Sequence, residues 1–175
     1  MKKTPFARVL ACVDVSGTMS EDTIEAIKDR LQRLDETVCG SAGMDMESAI
    51  VVVEFSTEVH RVVPLRQWLL DPEQMHGKGG CIYDCIFQDK LLWPDGVPTN
   101  SVLIYTDGCG TMTLEKSPVA CPVMWLFVGK ERHMPAAWGN QFLAVEDLTN
   151  SKEPDIAAEA KKRREVRQAS YTKKG

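Results

Sequence analysis

The chain has 175 residues, of which 43% are hydrophobic and 26% are charged, values typical of a globular domain. This composition argues against a disordered, collagen-like or coiled-coil chain, and no apolar run approaches the roughly 18 residues of a membrane span. The net charge is −4, but residues 161–175 carry seven basic residues and one acidic residue, a net +6, which leaves −10 for residues 1–160. This acidic body argues against binding of nucleic acid over the whole surface, since phosphate contact needs a basic face.

Hydrophobic patterning divides the chain into strands that alternate with helices. The predicted strands cover residues 7–16, 49–55, 59–65, 101–105, 122–128 and 141–145. The predicted helices cover 20 to about 37 or 39, one or two turns within 65–75, then 81–92 and 154–170. Predicted loops follow the first helix at 40–43, precede the third helix at 76–80 and follow the fifth strand at 130–140.

The connections between the predicted strands indicate the fold class. The second and third strands are joined only by Ser56-Thr57-Glu58, which requires antiparallel pairing. We therefore predict an α/β fold, a three-layer sandwich whose central sheet is mostly parallel with one antiparallel edge strand. In such sheets ligands bind beyond the carboxyl ends of the strands, here at loops 14–18, 77–81 and 106–110.

The loop after the first strand carries candidate metal ligands. Asp14, Ser16 and Thr18 place a carboxylate and two hydroxyls at alternate positions of one tight turn. Gly17 lets the backbone turn sharply there. A second acid, Asp107, follows the fourth strand. Oxygen-only ligation with few carboxylates suits Mg²⁺, with Mn²⁺ and Ca²⁺ as further candidates.

Several motifs, taken together in chain order, resemble a known family. Asp-Val-Ser-Gly-Thr at 14–18 matches the Asp-x-Ser-x-Ser/Thr signature of von Willebrand factor A (VWA) domains. The further matches are Gly-Lys-Gly-Gly at 77–80, Tyr-Thr-Asp-Gly at 105–108, Pro-Val-Met-Trp at 122–125 and Pro-Ala-Ala-Trp-Gly at 135–139. The chain resembles most closely the bacterial and phage VWA-like domain of metallopeptidase-associated proteins. Because the resemblance covers roughly residues 7–148, we expect a VWA-like domain at 1–150 and a basic C-terminal helix or tail at 151–175.

The resemblance implies a metal-ion-dependent adhesion site. Asp14, Ser16 and Thr18 would form its first segment and Asp107 its third. The second segment of the family holds a threonine after the glycine-rich loop. Here that position is Cys81, whose neutral thiol is a poor ligand for Mg²⁺. The residues that could supply a ligand at this point are Cys81 itself, Thr106, Asp84 and His76.

A site of this kind implies a non-enzymatic protein-interaction module. An Asp or Glu of a protein partner would fill the open coordination position of the bound Mg²⁺. The resemblance also implies a MoxR-type AAA+ ATPase as one partner. The basic segment 161–175 could contact an acidic protein or nucleic acid, with a simple solvated helix as the alternative.

The six cysteines are predicted to be reduced and mostly buried. Cys12 and Cys121 lie in apolar runs, and the chain has no Cys-x-x-Cys motif. The apolar run at 9–13 is bracketed by Arg8 and Asp14, which makes it too short for a signal peptide. We therefore expect a cytoplasmic protein that does not contact a membrane.

Two enzymatic interpretations stand as alternatives. One is a haloacid-dehalogenase-like phosphatase or another metal-assisted hydrolase. The first motif of the haloacid-dehalogenase-like phosphatases reads Asp-x-Asp-Gly-Thr, but Ser16 stands where their general acid/base belongs. A cysteine hydrolase would need a thiolate beside a histidine, for which Cys81 or Cys85 with His76 is the local candidate. Cys109, in a Gly-Cys-Gly loop, is predicted to be the most exposed thiol. The sequence contains no His-Glu-x-x-His motif, the pattern that would indicate a metallopeptidase.

Overall fold

A computed structural model describes residues 8–42, 49–71, 79–88, 91, 99–128 and 135–145. Six strands form one sheet: β1 (Val9–Asp14), β2 (Ile50–Phe55), β3 (Val59–Pro64), β4 (Ser101–Thr106), β5 (Val123–Val128) and β6 (Asn140–Val145). The helices are α1 (Glu21–Ala42), α2 (Leu65–Leu70) and a 3₁₀ helix (Tyr83–Phe87). None of the helices in these residues has the length and apolar character needed to cross a membrane.

The sheet confirms the predicted fold class. Its strand order is β3-β2-β1-β4-β5-β6, and only β2 and β3 pair antiparallel. The edge strand β3 follows β2 through the short turn at 56–58, as its length requires. β2 and β4 lie on opposite sides of β1. The chain therefore builds one side of the sheet from β1 to β3 and then crosses β1 to build the other side from β4 to β6. The carboxyl ends of β1 and β4 therefore form the topological switch point at which such sheets bind ligands.

Both faces of the sheet are buried, which explains why its strands are apolar almost throughout. Along β1, Ala11 and Val13 face the core that includes α1 and α2. Leu10 and Cys12 face the opposite core, which includes the 3₁₀ helix. Asp14 is two residues after Cys12 in the strand, so it faces the same side of the sheet as Leu10 and Cys12.

Helix α1 begins and packs as its sequence predicts. The Ser20 hydroxyl accepts a hydrogen bond from the Thr23 amide (3.2 Å), and two acids occupy the first turn. Ile24, Ile27 and Leu31 are buried at helical spacing. The helix ends at Ala42, so the predicted end at 37 or 39 and the predicted loop at Gly40 and Ser41 are wrong. A glycine costs a helix only about 1 kcal/mol relative to alanine, which a long packed helix tolerates.

The predicted helix at 81–92 is confirmed only in part. Tyr83–Phe87 forms one short 3₁₀ helix and Leu91 is helical, but the predicted start is wrong, because Cys81 is not helical and Ile82 is extended. Two backbone bonds of 3.0 Å, from the Thr111 amide to the Cys81 carbonyl and from the Tyr83 amide to the Thr111 carbonyl, hold this segment in a β-bridge. These tertiary bonds outweigh the helical pattern of the segment. Because extended residues alternate in direction, Cys81 and Tyr83 share one buried side.

A group of charged residues around the buried Glu54, which we call the Glu54 cluster, joins the two antiparallel strands at the edge of the sheet. Glu54 lies in β2 with only 2% of its surface exposed. Arg61 of β3 donates two hydrogen bonds to its carboxylate, from Nε (2.8 Å) and Nη2 (3.1 Å). The Trp68 indole of α2 donates to the same carboxylate, and Arg61 also pairs with Asp71. The cluster thereby joins β2, β3 and the end of α2.

The remaining strand predictions agree with the structure to within a few residues. β2, β4, β5 and β6 each begin or end one or two residues from the predicted bounds, and β6 starts at Asn140, within the predicted loop at 130–140. The predicted helix at 154–170, the basic segment 161–175 and the domain boundary at 150 lie outside the described residues. His76 lies outside them as well.

Candidate functional site at the carboxyl ends of β1 and β4

The candidate site lies where the loops after β1 and β4 meet. The Thr106 hydroxyl at the end of β4 donates a hydrogen bond of 2.7 Å to Oδ2 of Asp14, the last residue of β1. The Gly17 amide donates to the Gly79 carbonyl (3.3 Å), which attaches the glycine-rich loop to the same edge. The three loops in which the sequence predicts ligand binding are therefore neighbours in the fold.

Asp14 is the centre of the site and is completely buried. Its Oδ1 accepts a hydrogen bond from the Ser16 amide (2.9 Å), and its Oδ2 accepts the Thr106 hydroxyl. No ion pair in the described part of the chain involves Asp14. Neutral donors rather than a described cation thus satisfy this carboxylate.

The Thr106 hydroxyl forms three hydrogen bonds, one as donor and two as acceptor. While its proton goes to Asp14, Oγ1 accepts bonds from the Tyr83 hydroxyl (2.8 Å) and the Gly108 amide (3.1 Å). Burial raises the pKa of Tyr83, so its hydroxyl stays protonated and available as a donor. Tyr83 is not among the predicted site residues, because residues 81–92 are predicted to form a helix. Nothing in the neighbouring sequence indicates that Tyr83 bonds to Thr106.

Cys81 is buried, with 4% of its surface exposed. Burial raises the pKa of its thiol, and the negative charge of Asp14 raises this pKa further. The thiol is therefore neutral at physiological pH. Gly110 packs closely against this position, since a Cβ added there would lie 2.9 Å from the Cys81 Cβ and 2.5 Å from the Tyr83 ring.

Ser16 and Thr18 provide two hydroxyls beside the carboxylate. Ser16 is buried and Thr18 is exposed, and their side-chain oxygens lie 3.2 Å apart. Neighbouring ligands of an octahedral ion with bonds of about 2.1 Å are separated by about 3 Å. The two hydroxyls form a hydrogen bond at this distance, which is also close to the spacing of adjacent ligands of one small cation.

Asp107 is half-buried and follows Thr106 directly. Its Oδ1 accepts a hydrogen bond from the Cys109 amide (2.8 Å), and Gly108 between them adopts a positive φ of 85°. This small turn keeps the second acid at the rim of the site. Within the described ranges, no three side chains of His, Cys, Asp or Glu form a metal-binding group. A cation at this edge would accordingly depend on the hydroxyl ligands.

Asp84, a further candidate ligand, belongs to a different set of contacts. Both of its oxygens accept hydrogen bonds from the Thr113 amide (3.2 and 3.0 Å), and the Thr113 hydroxyl also donates to it. The carboxylate thus anchors the chain after the Ile82–Thr111 bridge. It stabilises the loop that carries the site without joining Asp14.

The thiols differ strongly in exposure and acidity. Cys109 is exposed, as predicted, whereas Cys12 and Cys81 are buried with raised pKa values, and burial raises the pKa of Cys85 to about 11. A raised pKa lowers the thiolate fraction at any given pH, and the thiolate is the nucleophile. Neither cysteine of the cysteine-hydrolase interpretation is therefore activated by its surroundings.

Native alkylation should follow this order. With iodoacetamide at about pH 8, we expect Cys109 to be modified fastest and Cys12 and Cys81 slowest, because reaction needs an accessible thiolate. Peptide mass spectrometry over a time course measures the rates, and the urea-unfolded chain serves as the control in which these differences disappear. Rapid modification of Cys81 in the folded protein would contradict the burial described above.

Comparison of the chain with models of known protein families found no match, and comparison with curated proteins found none either. The fold and the site define the class: an α/β protein with a polar, oxygen-rich site at the switch point of a mostly parallel sheet. The function must be inferred from this site and from the sequence motifs that form it.

Proposed function

We propose that this chain is a VWA-like, non-enzymatic interaction module that binds a partner's carboxylate through a divalent cation. The cation would be held by Asp14, Ser16, Thr18 and Asp107. The main support is the pair of hydroxyls at Ser16 and Thr18, 3.2 Å apart and next to the buried Asp14 carboxylate at the switch point of the sheet. Hard oxygens of this kind suit Mg²⁺, and Mn²⁺ or Ca²⁺ by the same chemistry.

The surrounding residues position these ligands. Thr106 and the Ser16 amide hold the two oxygens of Asp14, and Tyr83 holds Thr106 in turn. Thr18 is exposed and Asp107 half-buried, so they lie at the rim that a partner could reach. Because both Asp14 oxygens already accept hydrogen bonds, this carboxylate supplies mainly negative charge, and the hydroxyls supply direct ligands.

Charge explains why a carboxylate partner would need the cation. Residues 1–160 carry a net charge of −10, so an Asp or Glu of a partner would be repelled by the bare protein. A bound divalent ion would supply local positive charge and a ligand position for that carboxylate. We propose a MoxR-type AAA+ ATPase as one partner, on the sequence resemblance alone.

The enzymatic alternatives fit the site less well. In a phosphatase Asp14 would have to reach a phosphorus atom, but it is completely buried and both of its oxygens accept hydrogen bonds. Ser16 cannot act as a general acid near neutral pH. The raised pKa values of Cys81 and Cys85 disfavour a thiolate nucleophile. An interaction function therefore agrees better with the chemistry of the site.

Loss of Asp14 should abolish the response to cations. We expect about 10 mM Mg²⁺ to raise the melting temperature of the wild-type protein relative to EDTA, because a ligand that binds only the folded state stabilises it. Asp14→Ala should remove this shift. Thr18→Ala tests the same site with an exposed residue and little risk to folding.

The control variant is Asp84→Ala, which removes an acid whose hydrogen bonds go to Thr113. It should retain the Mg²⁺ shift. A pull-down with Mg²⁺ or EDTA then tests the partner. Partner capture that is equal in both, or a Mg²⁺ shift that survives in Asp14→Ala and Thr18→Ala, would contradict the metal-dependent function.

A further inference from the structure

The hydrogen bonds of Thr106 leave its hydroxyl no free position. A threonine hydroxyl has one proton to donate and two lone pairs that accept. The proton of Thr106 goes to Oδ2 of Asp14 (2.7 Å). The two lone pairs accept the Tyr83 hydroxyl (2.8 Å) and the Gly108 amide (3.1 Å). Thr106 is completely buried and, in this arrangement, has no lone pair left with which to ligate a cation.

The three partners of Thr106 belong to three different segments of the candidate site. Asp14 is the last residue of β1. Gly108 directly follows the second acid, Asp107, and adopts a positive φ of 85° in its turn. Tyr83 begins the 3₁₀ helix that follows the glycine-rich loop. One hydroxyl therefore connects the segments that carry both acids and the segment that comes after the glycine-rich loop.

The Tyr83 side chain is a fixed donor in this arrangement. Its ring packs edge-on against Trp125, with ring centroids 5.2 Å apart, and at 6.0 Å from Phe55. The backbone of Gly110 lies so close that an added Cβ would be 2.5 Å from the ring. The ring has little room to move, so the position of its hydroxyl is set by the core of the protein rather than by the site loops.

We infer that Thr106 is a positioning residue for the cation, an inference that rests on the proposed function. Thr106 holds Asp14 and the turn of Asp107 in a fixed relative position without touching the ion. Tyr83 acts through Thr106, because it fixes the hydroxyl from the side of the core. Loss of the hydrogen bonds that hold metal ligands in place typically costs about 10–100-fold in metal affinity.

Removing the Tyr83 hydroxyl distinguishes positioning from direct ligation. Tyr83→Phe deletes the donor and frees one lone pair of the Thr106 hydroxyl. If Thr106 were a ligand, this lone pair would leave the affinity for Mg²⁺ unchanged or raise it. If Thr106 is a positioning residue, its hydroxyl becomes less constrained and the affinity falls.

The test is Mg²⁺ binding by isothermal titration calorimetry, at a temperature at which circular dichroism shows each protein to be folded. We expect Thr106→Val to raise the Kd at least about tenfold and Tyr83→Phe to raise it about threefold. Thr106→Ser, which keeps the hydroxyl, should bind within about twofold of wild type.

The matched control is Tyr105→Phe, the same chemical change one residue before Thr106. Tyr105 is buried in the core on the opposite face of the sheet from Tyr83. Its loss of a hydroxyl should leave the Kd for Mg²⁺ unchanged, whatever it does to stability. The control thereby separates an effect on the ligands from a general loosening of the fold.

Each outcome decides the matter. Unchanged Mg²⁺ binding in folded Thr106→Val and Tyr83→Phe would overturn the positioning role and leave the proposed function standing. Tighter binding by Tyr83→Phe would also overturn it and make Thr106 a ligand. An equal loss in Tyr105→Phe would overturn it as well. Absence of binding to folded wild type would overturn both the inference and the metal site. If Thr106→Val fails to fold, Tyr83→Phe and its control decide alone.

Discussion

Replacing Arg61 with alanine should destabilise the protein by about 3–5 kcal/mol, because it leaves the buried Glu54 carboxylate without its counter-charge. Glu54 is 2% exposed and receives two hydrogen bonds from the Arg61 guanidinium. In the variant its remaining described donor is the Trp68 indole. Removing one partner of a buried pair exposes the full desolvation cost of the other.

Urea unfolding measures this effect, with Arg66→Ala as the matched control. The Arg66 side chain is 61% exposed and lies 3.9 Å from Asp35, so its loss should change the free energy of unfolding by less than about 1 kcal/mol. A double variant, Glu54→Leu with Arg61→Met, should recover part of the loss because it removes the buried carboxylate together with its counter-charge, while the Trp68 indole loses its acceptor. Similar stabilities for Arg61→Ala and Arg66→Ala would show that solvent reaches Glu54 in solution.

The Glu54 cluster also supports the candidate site at a distance. Glu54 and Arg61 pair across β2 and β3, and the turn between these strands is closed by a 2.6 Å hydrogen bond between Ser56 and His60. The Ser56 carbonyl accepts the Ile82 amide beside Cys81, and the Phe55 carbonyl accepts the Val15 amide beside Asp14. The end of β2 and the turn that leads to the edge strand are therefore connected by backbone hydrogen bonds to residues beside Cys81 and Asp14.

Local pattern was sufficient to predict most of the fold. Each buried strand is a short apolar run, and the spacing of Ile24, Ile27 and Leu31 identifies α1 and its packed face. The Glu54–Arg61 pair could not be predicted, because it depends on the register of two strands. The non-helical start of the segment, at Cys81 and Ile82, could not be predicted, because it depends on bonds to Ser56 and Thr111, which are distant in sequence.

The candidate site could likewise be predicted only in part. Asp14, Ser16 and Thr18 are close in sequence, and Asp107 follows another parallel strand, so their placement at one edge follows from the sheet. The sheet order does not predict which side chains form hydrogen bonds with Asp14. Thr106 lies 92 positions from Asp14, and Tyr83 reaches the site only because Ile82 is extended.

Thr106→Val should destabilise the protein by about 3 kcal/mol. Valine has the shape of threonine but cannot form hydrogen bonds. The change removes a donor from Asp14 and an acceptor from the Tyr83 hydroxyl and the Gly108 amide, all in a buried environment. Buried polar groups that lose their partners cost about 1–3 kcal/mol each, and local relaxation recovers part of the sum.

Two further variants separate the hydroxyl from the shape of the side chain. Thr106→Ser keeps the hydroxyl and should cost clearly less than Thr106→Val, and Tyr83→Phe, which removes one donor alone, should cost about 1 kcal/mol. Because Thr106 and Tyr83 bond directly, the effects of Thr106→Val and Tyr83→Phe should not add in the double variant. Additive losses, or equal losses for valine and serine at 106, would mean that packing rather than hydrogen bonding holds Asp14 in place.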